Sequence, residues 1–200
     1  MNLTLLSAAR QRGISLIEGV LYLVIALAVI VGGIVFFQQA QLSNQVTDTA
    51  RAAVGISSQT RGLYQNQRAF NDAGTPNNLT ATLIASGSVP SNFLDSDGDS
   101  IVHPFGNVMQ VFGSRQDFVL QFTDLSEEAC LRLATAGQGG TGPLGTGITG
   151  FNFAANATPV PNDNTAFDPT FPVPVTATTA ANQCSPDPNN AVDVQVFYSR

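Results

Sequence analysis

The sequence feature that most constrains this chain is an apolar run from Gly19 to Phe37 that contains no charged residue. As an α-helix rising about 1.5 Å per residue, the run would span roughly 28 Å, close to the thickness of a bilayer core. A buried helix of a soluble protein rarely stays free of charge over such a length. The run therefore predicts a helix that crosses a membrane.

The residues on either side of the run predict its orientation. Arg10 and Arg12 immediately precede it, whereas the segment that follows, QQAQLSNQVTD, has no basic residue. The positive-inside rule then places the N-terminus in the cytoplasm and the rest of the chain outside it. A cleaved secretory signal is one alternative, although its apolar core is usually shorter, and a simple signal anchor is another.

Glu18 lies at the edge of the apolar run and is a candidate functional residue, because inserting an ionisable group there costs a few kcal/mol. The segment from Arg12 to Glu18, RGISLIE, together with the basic leader and the apolar helix, resembles the prepilin signature of type IV pilins. In that family a peptidase on the cytoplasmic face cuts after the glycine. The new N-terminal residue is then methylated, and the glutamate five residues into the mature chain is needed for assembly.

The resemblance assigns these roles to particular residues here. It implies cleavage between Gly13 and Ile14, N-methylation of Ile14, and an assembly role for Glu18. Isoleucine is a less common first mature residue in the family than Phe, Met, Leu or Val. The implied partners are the prepilin peptidase, the inner-membrane assembly machinery and further copies of the chain, with no cofactor.

The chemistry of the motif agrees with this assignment. Ile14 and Glu18 are four residues apart, so the new terminal amine and the carboxylate share one helix face. In a bundle of such helices, the amine of one chain can neutralise Glu18 of a neighbour inside an apolar core. Losing one partner of such a buried pair costs about 3–5 kcal/mol, so the pairing would set the axial register. In the alternative, the Glu18 side chain only extends to the membrane–water interface and has no role in assembly.

The helix is expected to continue beyond the membrane. Mostly small residues recur at steps of three or four and predict a stripe that lets other backbones approach closely. The stripe comprises Leu42, Val46, Ala50, Ala53, Ser57, Thr60 and Tyr64. The turn-forming segment NDAGTPNN after Phe70 predicts the end of this helix.

The remaining chain predicts an antiparallel sheet with short helices. Two alternating runs, Asn107–Phe112 and Asp117–Phe122, are separated by GSRQ and predict a β-hairpin. Asp124 and Glu127 have the spacing of a capping box and predict a short helix over about Ser126–Ala134. The last ten residues, AVDVQVFYSR, alternate as a strand.

A glycine- and proline-rich stretch occupies residues 137–190, and Cys130 and Cys184 bracket it. The composition predicts an ordered loop that wraps the domain, with full disorder as the alternative. Because an exported segment meets an oxidising compartment, the two cysteines are expected to pair, rather than remain two free buried thiols. A C-terminal disulfide loop is also similar to that of type IV pilins.

Within that family, one segment of the chain resembles a particular subclass. The segment from Val89 to Leu133 resembles the type IVb pilins, particularly those of thin conjugative pili. The 13-residue leader is short for that subclass.

Other chemistry is weakly indicated. Asp95, Asp97 and Asp99 are spaced like the start of a calcium loop, but the glycine comes one place early and the twelfth position is Gly106. A solvated acidic turn is the expected reading, with a metal site only as a weak candidate. His103 is the one histidine, and no GxSxG motif accompanies it, so no enzyme is expected.

The charge balance argues against nucleic acid as a direct partner. The chain has a net charge of −6, and maturation would remove Arg10 and Arg12. Phosphate binding requires clustered positive charge, which this sequence lacks.

The sequence thus predicts an α+β pilin subunit, a long helix packed on a small antiparallel sheet with a disulfide-bounded C-terminal region. It would lie in the inner membrane before joining an extracellular filament that serves adhesion, aggregation or conjugation. A minor pilin, a secretion-system pseudopilin and a signal-anchored binding protein are the alternatives. The predicted segments are a leader at 1–13, a transmembrane and assembly helix at 14–37, its amphipathic continuation at 38–70 and a globular head at 71–200.

Overall fold

A computed structural model describes residues 15–70, 77–137, 141–154, 167–185 and 192–200. The chain divides into two compact units, Met1–Gln41 and Leu42–Arg200. The second unit begins well before residue 71, so part of the long helix belongs to the head.

The first helix, α1, runs from Leu16 to Tyr64 and is 49 residues long. In the described part of the chain, it is the one helix long and apolar enough to cross a membrane, with a mean hydropathy of 2.9 in its most apolar window. None of that window is buried. The apolar run therefore forms a helix, as the sequence predicted.

The part of α1 in the second unit packs through small residues. Ala50, Ala53 and Ile56 belong to the main apolar core of the head, together with side chains of the sheet. Thr49 and Thr60 are buried beside them, and each hydroxyl donates to the carbonyl one turn earlier in the helix. Every residue of the predicted stripe is buried or half-buried, which confirms it as the packed face.

The helix ends at Tyr64, six residues earlier than the sequence predicted. Phe70 is buried, and its backbone N–H donates to the Ser114 carbonyl at 3.1 Å. Its ring contacts the rings of Tyr64 and Phe118 at centroid distances of 5.5 and 5.2 Å. Burial of this aromatic against the sheet turns the chain before the predicted NDAGTPNN turn, whose residues 71–76 lie outside the described part.

The described residues form nine strands. They are β1 (Asn77–Asn78), β2 (Ile101–Val102), β3 (Val108–Gly113), β4 (Asp117–Leu125), β5 (Thr141–Gly142), β6 (Gly145–Thr146), β7 (Ile148–Ala154), β8 (Phe171–Pro172) and β9 (Val192–Ser199). Seven form one antiparallel sheet in the order β1-β3-β4-β9-β7-β8, with β2 also paired to β3, while β5 and β6 pair with each other.

The predicted hairpin and the predicted last strand are both confirmed as β3–β4 and β9. Strand β4 pairs with β9 so that Phe118 lies opposite Tyr198 and Phe122 opposite Val194. These side chains join the core that α1 covers. On the other face of the sheet, a second apolar cluster contains Val119, Phe197, Phe112 and Phe167.

The glycine-rich stretch is more regular than predicted. Where the sequence suggested a wrapping loop, the structure has strands β5 to β8 and helix α4, Ala177–Gln183. Strand β7 lies between β8 and β9, so it is an interior strand of the sheet. Its glycines weaken the alternation of apolar and polar residues that would indicate a strand. The strand is instead formed by pairing with β9, which begins 44 residues after β7 begins in the sequence.

Two further helices, α2 (Thr80–Ala85) and α3 (Glu127–Ala136), complete the head. The N-cap of α3 is Ser126, whose side chain accepts from the Ala129 N–H, and not Asp124. Asp124 lies instead at the end of β4 with a φ of 52°. The prediction of the helix was correct, and the prediction of its cap was wrong by two residues because β4 extends to Leu125.

Candidate assembly site

Glu18 lies in the first turn of α1 and is exposed. A carboxylate at this end of a helix is favoured by the helix dipole. Among the described residues, Glu18 has no ion-pair partner. The predicted cleavage residues Gly13 and Ile14 lie outside the described residues, so the pairing of the mature amine with Glu18 stays a prediction.

The surface around Glu18 is apolar and accessible. Leu16 and Ile17 are 86% and 78% exposed, and Phe36, at the far end of the run, is 74% exposed. Polar solvent disfavours so much apolar surface, and exposed patches of this size mark membrane or protein contacts. Within the described part of the chain nothing covers this face of α1, and lipid or another protein chain can bury it.

The predicted disulfide is present. Cys130 of α3 and Cys184, which follows α4, are bonded with a Cα–Cα distance of 5.7 Å. Both residues are fully buried in the main core. The bond therefore fixes the two ends of the glycine-rich stretch to each other, 54 residues apart in sequence.

The acidic turn uses its first carboxylate internally. The Asp95 Oδ1 accepts the backbone N–H groups of Asp99 and Ser100 at 3.0 and 3.3 Å. Gly98 adopts a φ of +75°, which favours glycine in this turn. Within the ranges that the structure describes, Asp95, Asp97 and Asp99 do not form a cluster suited to a metal ion, nor do any other three His, Cys, Asp or Glu side chains.

His103, which follows β2, is buried. Its Nε2 lies 2.9 Å from the carbonyl oxygen of Thr123. The ring also packs edge-on against Phe105 and Phe122. Burial lowers the pKa of His103, with a smaller opposing effect from the hydrogen bond to Thr123 and from the charge of Asp124.

Arg61 has a role that the sequence did not reveal. Although it lies off the predicted stripe, its guanidinium donates to the carbonyl oxygens of Thr146 and Ser199 at 2.8 and 2.9 Å. Partial burial lowers the pKa of Arg61, and the electrostatic interaction with Tyr198 has a smaller, opposing effect. The side chain therefore ties α1 to β6 and β9, two strands that are far away in sequence.

Comparison with known proteins decides the family. A family model described as PilS N terminal matches residues 43–196, which is most of the chain. The chain belongs to the PilS family of type IV pilins. The matched region covers the head, so the assignment of this pilin to the family does not depend on the apolar helix or on the prepilin motif.

Two curated relatives and one solved structure are similar to this pilin. The major structural subunits of the bundle-forming pilus from Escherichia coli O127:H6 and from Escherichia coli O111:H- are each 28% identical over 142 residues, covering 69% of this chain and 70% of the relative. A type IV b pilin from Salmonella typhi has a TM-score of 0.44 and 17% identity, covering 81% of this chain and 99% of its own.

Proposed function

We propose that this pilin is the structural subunit of an extracellular filament, formed when many copies pack through the N-terminal half of α1. The two Escherichia coli relatives are major structural subunits of a pilus, which supports a major rather than a minor role. Adhesion, aggregation or conjugation would then be properties of the filament and its surface. Neither an enzymatic reaction nor direct nucleic-acid binding is part of the proposal.

The observation that carries the proposal is the exposed apolar face of α1. Leu16, Ile17 and Phe36 are examples of a surface that has no covering inside the described chain. A bilayer covers such a surface before assembly, and neighbouring copies of the same helix can cover it afterwards. Removing apolar area from water contributes about 25 cal/mol per Å². Because the helix is shielded from water both in the bilayer and in the filament, its transfer from one to the other need not cost apolar burial.

Glu18 supplies the specificity that an apolar bundle lacks. Apolar helices can slide past each other with little change in free energy, whereas a buried charge must meet its partner. The proposed partner is the N-terminal amine of Ile14 in a neighbouring copy. The pair would select one axial register from many apolar alternatives.

The amine of Ile14 becomes available only after removal of the leader, residues 1–13. We assign this cut to a prepilin peptidase that acts between Gly13 and Ile14, followed by N-methylation of Ile14. The precursor would wait in the inner membrane, from which the assembly machinery extracts it into the filament. In this scheme residues 14–37 form the membrane and assembly segment.

The proposal is tested by shearing surface filaments from producing cells, imaging them by electron microscopy and determining the subunit's N-terminus by mass spectrometry. We expect abundant filaments whose main subunit begins with methylated Ile14. A subunit that begins at Met1 and forms no filaments would indicate a signal-anchored protein. Rare incorporation into filaments of another pilin would indicate a minor pilin.

A matched pair of variants tests the cleavage site. Gly13→Leu places a bulky side chain at the cut and should leave an uncut chain in the membrane. Gly32→Leu is the control, because a Cβ at Gly32 meets nothing within 4 Å and lies away from the cut. Normal maturation of Gly13→Leu would contradict the assigned site.

A further inference from the structure

A groove in the head combines carboxylates with apolar side chains. It has a volume of about 600 Å³ and lies where α1 faces the acidic turn and the residues after β2. Asp48 and Arg51 line it from α1, and Asp95 lines it from the acidic turn. Phe93, two residues before Asp95, and His103, which follows β2, also line it. All these residues belong to the second compact unit.

His103 leaves an unused hydrogen-bond acceptor at this groove. Its Nε2 faces the Thr123 carbonyl oxygen, which can only accept, so Nε2 carries the ring proton. Nδ1 is then an acceptor, and it is buried without a hydrogen-bond partner. The side chain as a whole is 1% exposed. Buried polar atoms are normally paired, so this one points to a donor that the described chain does not supply.

The carboxylates of the groove can also accept further hydrogen bonds. Asp48 contacts Arg51 at 3.2 Å, but both side chains are more than half exposed, and such ion pairs contribute little. Asp95 uses one oxygen for the backbone of its own turn. The two carboxylates and the histidine therefore present more acceptors than the single arginine can occupy.

A guanidinium group matches this set of acceptors. It offers five N–H donors in a planar fork and can lie against an aromatic face such as that of Phe93. Every basic residue of this chain is an arginine. Among the described residues, the side chains of Arg68 and Arg115 form no hydrogen bond, ion pair or ring contact, and Arg115 is exposed at the turn of the β3–β4 hairpin.

Arg115 cannot reach the groove of its own chain. Strand β3 begins at Val108, paired with Val102 at the groove, and ends at Gly113 beside the hairpin turn. At about 3.3 Å per residue, the turn lies roughly 20 Å from the groove. The donor and the acceptors are thus at opposite ends of the head.

We propose that the groove binds the Arg115 hairpin turn of a second copy of this chain, with the guanidinium between the carboxylates of Asp48 and Asp95. The contact joins two different surfaces, so it can repeat from copy to copy, and it gives an open chain of subunits where the rotation between copies does not close a ring. This inference rests on the proposed filament and specifies a contact between heads within it.

Cysteine crosslinking in sheared filaments tests the contact without removing its charged groups. Gln116→Cys is placed beside Arg115, and Asn92→Cys at the rim of the groove; both positions are exposed. The native cysteines are bonded and buried, so they do not react. A short bismaleimide should convert the double variant into a ladder of covalent multimers.

Two controls separate this contact from others. Gln116→Cys alone should stay monomeric, whereas a two-fold contact between hairpins would give dimers. Gln116→Cys with Thr178→Cys, an exposed position on α4, should also stay monomeric. Filaments that show no ladder with the Asn92 variant would overturn this inference and leave the proposed function intact, whereas absence of wild-type filaments would overturn both.

Charge reversal provides a second measurement if the cysteine variant does not assemble. Arg115→Glu should lower the filament yield about tenfold, because it places like charges together. Asp95→Asn should lower the yield too, while its amide oxygen can still hold the turn. Adding Asp48→Arg to Arg115→Glu should restore much of the yield, and a double variant no better than Arg115→Glu alone would overturn the proposal.

Discussion

The guanidinium of Arg61 lies 5.7 Å from the centroid of the Tyr198 ring. It lies 5.4 Å from the ring of Phe118, which stacks on Tyr198 at 5.0 Å. The Tyr198 hydroxyl in turn donates to the Leu144 carbonyl oxygen at 2.8 Å. One cation on α1 therefore holds a pair of stacked rings on β4 and β9 as well as two backbone carbonyls.

Replacing Arg61 should destabilise the head. In Arg61→Met the carbonyls of Thr146 and Ser199 lose their donor, and we expect the free energy of unfolding to fall by about 2 kcal/mol. The measurement is urea unfolding of the full chain in detergent, followed by near-ultraviolet circular dichroism. Arg132→Met is the control, since the Arg132 side chain forms a solvent-accessible ion pair with Glu128 on the same helix. Equal stability of Arg61→Met and Arg132→Met would contradict the role of Arg61.

The disulfide should matter more than any single hydrogen bond. Closing a loop of 54 residues stabilises a fold by up to about 4 kcal/mol on the chain-entropy model. Cys130→Ser should therefore lower the midpoint of unfolding and the amount of subunit that escapes proteolysis. Non-reducing electrophoresis should show a mobility shift on reduction of the wild type. Two free thiols in unreduced protein would be incompatible with the structure.

His103 should make the head less stable in mild acid. Burial holds its pKa below the ordinary value of 6.5, so below pH 6.5 the unfolded chain binds a proton that the folded chain resists. The free energy of unfolding should fall by at most about 1.4 kcal/mol per pH unit in this range and level off below the folded pKa.

The variant His103→Gln isolates this effect, because an amide can still donate to the Thr123 carbonyl but does not titrate. Unfolding is measured between pH 7 and 5.5. Burial raises the pKa of Asp117, which adds stability on acidification, but carboxyl groups titrate at lower pH. The variant should show a flatter pH dependence than the wild type, and identical slopes would refute the assignment.

The local periodicity of the sequence was enough to predict several elements. The uncharged run, the small-residue stripe of α1, the β3–β4 hairpin and strand β9 all follow from patterns within one continuous stretch of sequence. The prepilin motif and the family resemblance indicated a pilin, which the family match confirms.

Features that depend on distant partners were not predictable. Arg61 finds its acceptors 85 and 138 residues away, and β7 is ordered by pairing with β9. The end of α1 at Tyr64 depends on burial of Phe70 against the sheet. The groove required the acidic turn to fold beside α1, and no spacing in the sequence indicated that arrangement.

We expect α1 to assemble filaments with Glu18 as the residue that sets the axial register. Glu18→Val should insert in the membrane and still be cut, because valine suits the bilayer better than a carboxylate. Incoming copies would lose the partner of the terminal amine. Mutant subunits should therefore enter filaments poorly even when wild-type chains are present.

The direct test counts and measures filaments by electron microscopy on cells that produce Glu18→Val. Glu127→Val, at an exposed glutamate of α3, is the matched control. We expect few or no filaments for Glu18→Val, with mature subunit retained in the membrane, and normal filaments for Glu127→Val. Filaments of normal number and length from Glu18→Val alone would contradict the role of Glu18 in assembly.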